Sequence, residues 1–275
     1  DAILTSGFNV LSLANNHICD YFYYKGIEHT IAILDKNNIH HCGAGINIIE
    51  AQKPTIFQAN GFKVGIFGRI HEDSFENVIG DIATEVKPGA APLCVKEIVK
   101  SASDAKQTHA LDIIILAVHW GIQDTHNHTN QIHKIADAVI KESDVDIILG
   151  NHSHCIQGVN SSNSKVICYG HGNFYFYPQI LDDGILYDAG QDINRTSLVT
   201  KININRNPKN LTVEARVVKQ NIENVVVFFD KNKESKILAK VFGIWKDNRK
   251  ISLYFEYRLR AISLDFIKLI PNQIR

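Results

Sequence analysis

The 275-residue sequence contains no methionine, not even at its first position. It opens on Asp1-Ala-Ile-Leu-Thr-Ser-Gly7-Phe8, which resembles the last turn and glycine cap of a helix entering a strand. Together these give the expectation that the natural amino terminus lies upstream. Charge excess is missing too. Lys+Arg and Asp+Glu are equal at 29 each, which removes the electrostatic footprint of a protein that binds nucleic acid or an anionic membrane. No apolar stretch approaches the roughly 18 residues of a membrane span, and the opening residues do not have the pattern of a signal peptide. The five cysteines (Cys19, Cys42, Cys94, Cys155, Cys168) form no CxxC pair. Small buried hydrophobes in a reducing setting are their expected role, against a disulfide or a thiolate–metal site. No GxxxxGK[ST] loop, GxSxG elbow or H-E-x-x-H pair occurs, so P-loop, α/β-hydrolase and zincin chemistry drop out, and Gly43-Ala-Gly45 is not a phosphate cradle.

What is present is histidine, 13 in all, gathered where apolar runs end. Leu11-Ser-Leu-Ala-Asn-Asn-His17, Ile113-Ile-Ile-Leu-Ala-Val-His119-Trp120 and Ile147-Ile-Leu-Gly-Asn-His152-Ser-His154 each run from aliphatics into metal-ligand chemistry. A buried parallel strand is a short continuous apolar run, and an open α/β sheet binds its ligand beyond the carboxyl ends of its strands. Convergence of the three ends in one crevice would make a metal-dependent hydrolytic centre. Each piece has a plainer alternative. His152-Ser-His154 is a metal pair or a surface loop that happens to hold two histidines. His119, taken alone, is more commonly a hydrogen-bonded, partly buried residue than a ligand. At a strand exit the amide oxygen of Asn16 can take a metal while His17 faces a leaving group. Asn173, in a Gly-Asn turn, supports structure as readily as function. His126, His128 and His133 are expected to be solvated loop residues. His29, His40, His41, His71 and His109 are expected to be structural.

The organisation is mixed α/β. Strands are expected at 8–13, 39–42, 111–118 and 145–149, with helices at 24–37, 92–107 and 129–143. Asn60-Gly61 between two alternating runs predicts a hairpin over 54–67. Residues 69–90 are expected as loop, and 156–159, 165–169, 196–204 and 211–219 as short strands of an antiparallel second half. In the tail, Lys233 to Phe242 suits a helix, while 251–270 alternates between strand-like and helix-like spacing.

Gly7-Phe-Asn-Val-Leu-Ser-Leu-Ala-Asn-Asn-His17 with Asp20-Tyr21 resembles the signature of bacterial capsule-synthesis proteins of the CapA, or poly-γ-glutamate, type. The resemblance continues in order through Gly43-Ala-Gly45, the 54–67 hairpin, His119-Trp120-Gly121, Gly150-Asn-His152-Ser-His154 and Gly172-Asn173-Phe174, over about residues 1–205. It implies a calcineurin-like metallophosphoesterase fold, a two-sheet α/β sandwich flanked by helices and truncated at its start, over 1–220, with a C-terminal extension of uncertain fold over 221–275. By the same resemblance Asn16, His119, His152 and His154 are metal ligands, His17 is the catalytic histidine, and Asp20 and Asn173 support them. The implied cofactors are divalent ions (Mn, Fe, Zn or Mg), two in an intact protein. The implied chemistry is metal-assisted hydrolysis or acyl/phosphoryl transfer in capsule or poly-γ-glutamate synthesis or export. The alternatives are a non-catalytic part of a polymer-synthesis complex and a phosphoesterase of other specificity. The implied partners are an anionic polymer or its precursor and other capsule-synthesis proteins, not nucleic acid. Localisation is at the cell envelope if a membrane anchor lies upstream, and otherwise cytoplasmic.

The sequence departs from the family pattern in two places. H-x-P-H becomes His152-Ser153-His154, and Ser-Leu-Gly-Asn-Phe becomes Gly170-His171-Gly172-Asn173-Phe174. The family's Gly-Asp and Asn-Leu-Glu motifs precede the Asn-Asn-His segment, so this chain starts after them. The four expected ligands are all neutral. Placing two divalent ions among them leaves charge uncompensated at several kcal/mol per ion, on the order that ruins binding. The expectation is one metal, weakly held.

Overall fold

Ile27, Ile31 and Leu34, at helical spacing, form the inner face of helix α1 (Tyr24–Lys36). The helix connects strands β1 (Val10–Ser12) and β2 (His40–Cys42), which pair in parallel, and packs with Leu13, Cys19 and Ile39. The computed structural model describes residues 3, 6–20, 22–74, 82–162, 164–176, 179–180, 186–187, 195–221 and 223–243. The segment 251–270 lies outside the described residues, as do 75–81 and most of the first five.

Loop was expected over 69–90, and here the structure corrects the reading. Beyond β2, Ala44–Gly45 (β3) precedes a short helix α2 (Ile48–Gln52) and the hairpin of β4 (Thr55–Ala59) and β5 (Phe62–Ile70). A 3-10 turn follows at Glu72–Ser74, and Gly89–Ala90 (β6) pairs antiparallel with β3. Buried alanines at 44, 83, 90 and 91 carry this pairing. Small residues give little hydrophobic pattern, so the periodicity misses it. The 54–67 hairpin forms as expected, with both turn residues left-handed (Asn60 φ 49°, Gly61 φ 81°).

Strand β5 begins a parallel run. β7 (Ile113–His119), β8 (Ile147–Asn151) and β10 (Lys165–Cys168) follow it in register, and β9 (Val159–Ser162) closes the edge antiparallel, giving the order β4-β5-β7-β8-β10-β9. The strand expected at 156–159 therefore starts later, and Ile156 makes only a single bridge to His171. On β7, Ile114, Leu116 and Val118 enter one core with helices α3 (Val95–His109) and α4 (Asn130–Glu142). Ile113 and Ile115 enter another, on the opposite face. Both faces of the strand are covered, which is why its sequence is an unbroken aliphatic run.

The second core lies against an antiparallel sheet. After the short pair β11 (Gln179–Ile180) and β12 (Leu186–Tyr187), strands β13 (Thr196–Asn205), β14 (Asn210–Gln220) and β15 (Val226–Phe228) form it in that order. Leu198, Leu211 and Val217 face the main sheet, together with Ile237, Leu238 and Val241 of helix α5 (Lys231–Gly243). The chain is thus α/β, a two-sheet sandwich flanked by helices, as the resemblance implies. Among the described residues no helix is long and apolar enough to cross a membrane. Four cysteines are buried, Cys94 is exposed, and none of the five is in a disulfide.

A fully buried cation sits near the end of β5. Arg69 forks onto Glu97 at 3.1–3.2 Å and also donates to Gly68 O and Gln52 O. Its charge is paired and its donors are used, as burial requires.

Candidate functional site

His119 ends β7 and Asn151, its register partner, ends β8, so His152 emerges beside His119 at the carboxyl edge of the sheet. The third run arrives differently from the expectation. β1 is not part of the main sheet; it pairs only with β2. A close approach of glycines brings it over. A Cβ on Gly68 would lie 2.7 Å from the Gly43 Cα, and one on Gly43 would lie 2.7 Å from the Ala14 Cβ. With no side chains between them, the β1–β2 pair lies against β5 and Asn16 reaches the sheet edge. Asn15 shapes the turn, accepting from His17 N at 2.8 Å and donating to Leu13 O.

The three run ends do meet. His119 Nε2 lies 2.9 Å from Asn16 Oδ1 and 2.9 Å from His152 Nδ1. An amide oxygen only accepts, so the bond to Asn16 places a proton on His119 Nε2. His152 Nδ1 is then an acceptor of that same proton, which leaves the His152 proton on Nε2. That atom is buried and has no hydrogen-bond partner. Burial, and then the neighbouring His152, His154 and His17, push the His119 pKa down to about 2. Burial, His154 and His17 push His152 down to about 4. Both rings are therefore held neutral, with lone pairs available to a ligand.

Two further histidines flank this trio. His154 Nδ1 donates to Asn173 Oδ1 at 2.9 Å, which leaves its Nε2 as the free lone pair. His17 is exposed, and its Nδ1 lies 2.7 Å from Asp20 Oδ2. The carboxylate orients the ring. The backbone at the His-Ser-His segment is strained: His152 has φ 94° and His154 φ 55°. Left-handed backbone costs a non-glycine residue roughly 1–3 kcal/mol and persists only where the surroundings over-determine it.

As a metal site the trio has suitable donors. Adjacent ligand atoms on a six-coordinate divalent ion with bonds of about 2.0–2.1 Å stand about 2.9 Å apart. One proton on His119 Nε2 serves two convergent acceptors, Asn16 Oδ1 and His152 Nδ1, and a cation in its place would take all three donor atoms at once. Among the described residues, however, no three His, Cys, Asp or Glu side chains are grouped so as to hold a metal ion. The trio is two imidazoles and an amide, with no carboxylate. It suits one ion held by neutral donors and not a charge-balanced pair.

Several supporting contacts could not be read from the sequence. Gly150 sits under a Trp120 Nε1–H···O=C Tyr169 bond of 2.9 Å, and a Cβ there would lie 2.0 Å from the Tyr169 oxygen. His71 follows the end of β5, is buried, and donates its backbone N–H to His119 O. The solvated loop expected at His126, His128 and His133 is instead a part-buried cluster. His128 stacks on Tyr169 with ring centroids 3.8 Å apart, and burial, then His133, pushes its pKa down to about 4. These contacts join residues far apart in sequence.

Fold and site together define an α/β sandwich that gathers an Asn–His–His trio, with two flanking histidines, at its parallel strand ends. The chain belongs to the bacterial capsule synthesis protein family PGA_cap, whose model matches residues 1–178. It is 32% identical over 177 residues to the capsule biosynthesis protein CapA of Bacillus anthracis, covering 64% of this chain and 42% of that protein. It is 33% identical over 172 residues to the PGA biosynthesis protein CapA of Bacillus subtilis, covering 62% and 43%. A probable polyglutamine synthesis accessory protein of Mycobacterium tuberculosis is 27% identical over 175 residues, covering 60% and 44%. The matched part thus spans less than half the length of each of these relatives.

Proposed function

We propose that the chain acts in capsule or poly-γ-glutamate synthesis, and that its strand-end site is a metal-assisted centre for hydrolysis or acyl/phosphoryl transfer on an anionic polymer or its precursor. The observation that carries the site reading is the convergence of Asn16 Oδ1, His119 Nε2 and His152 Nδ1 around one proton, beside an orphaned buried Nε2. The pathway rests on family membership and on the names of the relatives.

Asn16, His119 and His152 would hold the ion, with His154 directed toward it by Asn173. A divalent ion there supplies Lewis acidity to an acyl or phosphoryl oxygen. His17 is the residue placed to move a proton. Its Nδ1 is committed to Asp20, so Nε2 is the atom that meets a leaving group, with the ring oriented by the carboxylate. A second reading, a non-catalytic platform in a polymer-synthesis or export complex, is favoured by the exposed aromatics Phe8, Phe174 and Tyr175 beside Asn173. Replacing His17 and His154 by alanine separates the two. General acid–base groups contribute roughly 10²–10⁴ in rate, so polymer output in cells should collapse in both variants. Output that survives both changes in a folded protein favours the platform.

A further inference from the structure

The loop that follows β7 is tied to the loop that carries His152 and His154. Asp124 N donates to Ser153 O at 2.9 Å. His126 Nδ1 donates to Ile156 O at 2.7 Å, and Gln157 Nε2 donates to Thr125 O at 3.0 Å. The far side of the loop is pinned by rings. His128 lies flat on Tyr169, with 9° between the planes, and His133 in the first turn of α4 brings Nδ1 within 3.1 Å of the Tyr169 hydroxyl. Thr129 caps that helix, accepting from Ile132 N at 3.2 Å. The Tyr169 carbonyl accepts from Trp120, the neighbour of His119. One residue thus anchors both the loop and the strand end of the site.

The left-handed backbone at His152 and His154 needs such an external constraint to persist. Ser153, between them, is held at its carbonyl by Asp124 and through Oγ by Cys155 O at 2.8 Å. We propose that residues 124–128 are a positioning clamp for the His152–His154 pair, with His126 its positioning residue and a divalent cation the ligand served. The ligand half of this rests on the metal reading of the site. His126 enters the clamp through its Nδ1–H, which donates to Ile156 O. The clamp acts by fixing where the two imidazoles point.

Two variants and two readouts on the full 275-residue chain test this. His126→Ala removes the donor to Ile156 O, whereas His126→Asn keeps an amide N–H where Nδ1–H stands. The readouts are the imidazole ¹⁵N resonances of His152 and His154 in the metal-free chain, and Co²⁺ affinity followed by visible absorption. His126→Ala is expected to move both sets of resonances and to weaken Co²⁺ binding roughly ten-fold, the scale seen when groups that orient metal ligands are removed. His126→Asn is expected to restore both. Gln157→Met cuts the second tie, is expected to move the same resonances, and serves if His126→Ala does not fold. Unmoved resonances in folded variants at both positions overturn the clamp. No Co²⁺ uptake by the parent chain would sink the metal reading instead, while the resonances still decide the clamp.

Discussion

At the residue scale the central atom is His152 Nε2, buried without a partner on one of two neutral imidazoles, the other being His119. Neutrality has a measurable consequence. An unfolded histidine titrates near 6.5, whereas His119 and His152 are pushed down to about 2 and about 4. Between those values the unfolded chain binds more protons than the folded one. Stability is therefore fully present above about pH 6.5 and falls as pH drops below it. The urea midpoint of the metal-free chain should decline clearly from pH 7 to pH 5; a flat midpoint would mean that the rings are already charged or solvated. Asn16, His119, His152 and His154 were legible in the sequence because each follows an apolar run that ends in a polar residue. The hydrogen bond from His154 to Asn173 and the stack of His128 on Tyr169 were not, because each joins separate loops through three-dimensional packing alone.

At the element scale, legibility followed how much side chain each element buries. β7 and β8 are aliphatic runs covered on both faces, and Asn60-Gly61 marks a two-residue hairpin turn, so all of these were plain from pattern. The β3–β6 pair is built from alanine and glycine and gave no pattern. Placement of β1 was equally hidden, because it depends on the contact between Gly43 and Gly68 rather than on strand pairing with the main sheet. That contact can be tested. In Gly68→Ala the new methyl meets the Gly43 Cα at 2.7 Å, backbone against backbone, so the β1–β2 pair must lift. Overpacking of this kind costs about 1–3 kcal/mol. The unfolding free energy read from urea denaturation should drop by that amount and the His119 ring resonances should shift as Asn16 withdraws. A variant with the parent midpoint and unshifted His119 would show that the glycine contact does not position the site.

At the scale of the whole molecule, one sandwich does two jobs. Its parallel sheet, buried between helices and a second sheet, sets the spacing of the strand ends, and the β1–β2 unit laid against it delivers the amide that closes the trio. The described trio carries no carboxylate, so electrostatics favour a single, modestly held divalent ion over a pair. Metal content per chain, measured by elemental analysis at equilibrium dialysis against a fixed concentration of Mn²⁺ or Zn²⁺, tests this most directly. The prediction is about one ion per parent chain and almost none in His119→Ala or His152→Ala. A parent chain that retains no ion, or that holds two ions tightly, would contradict it.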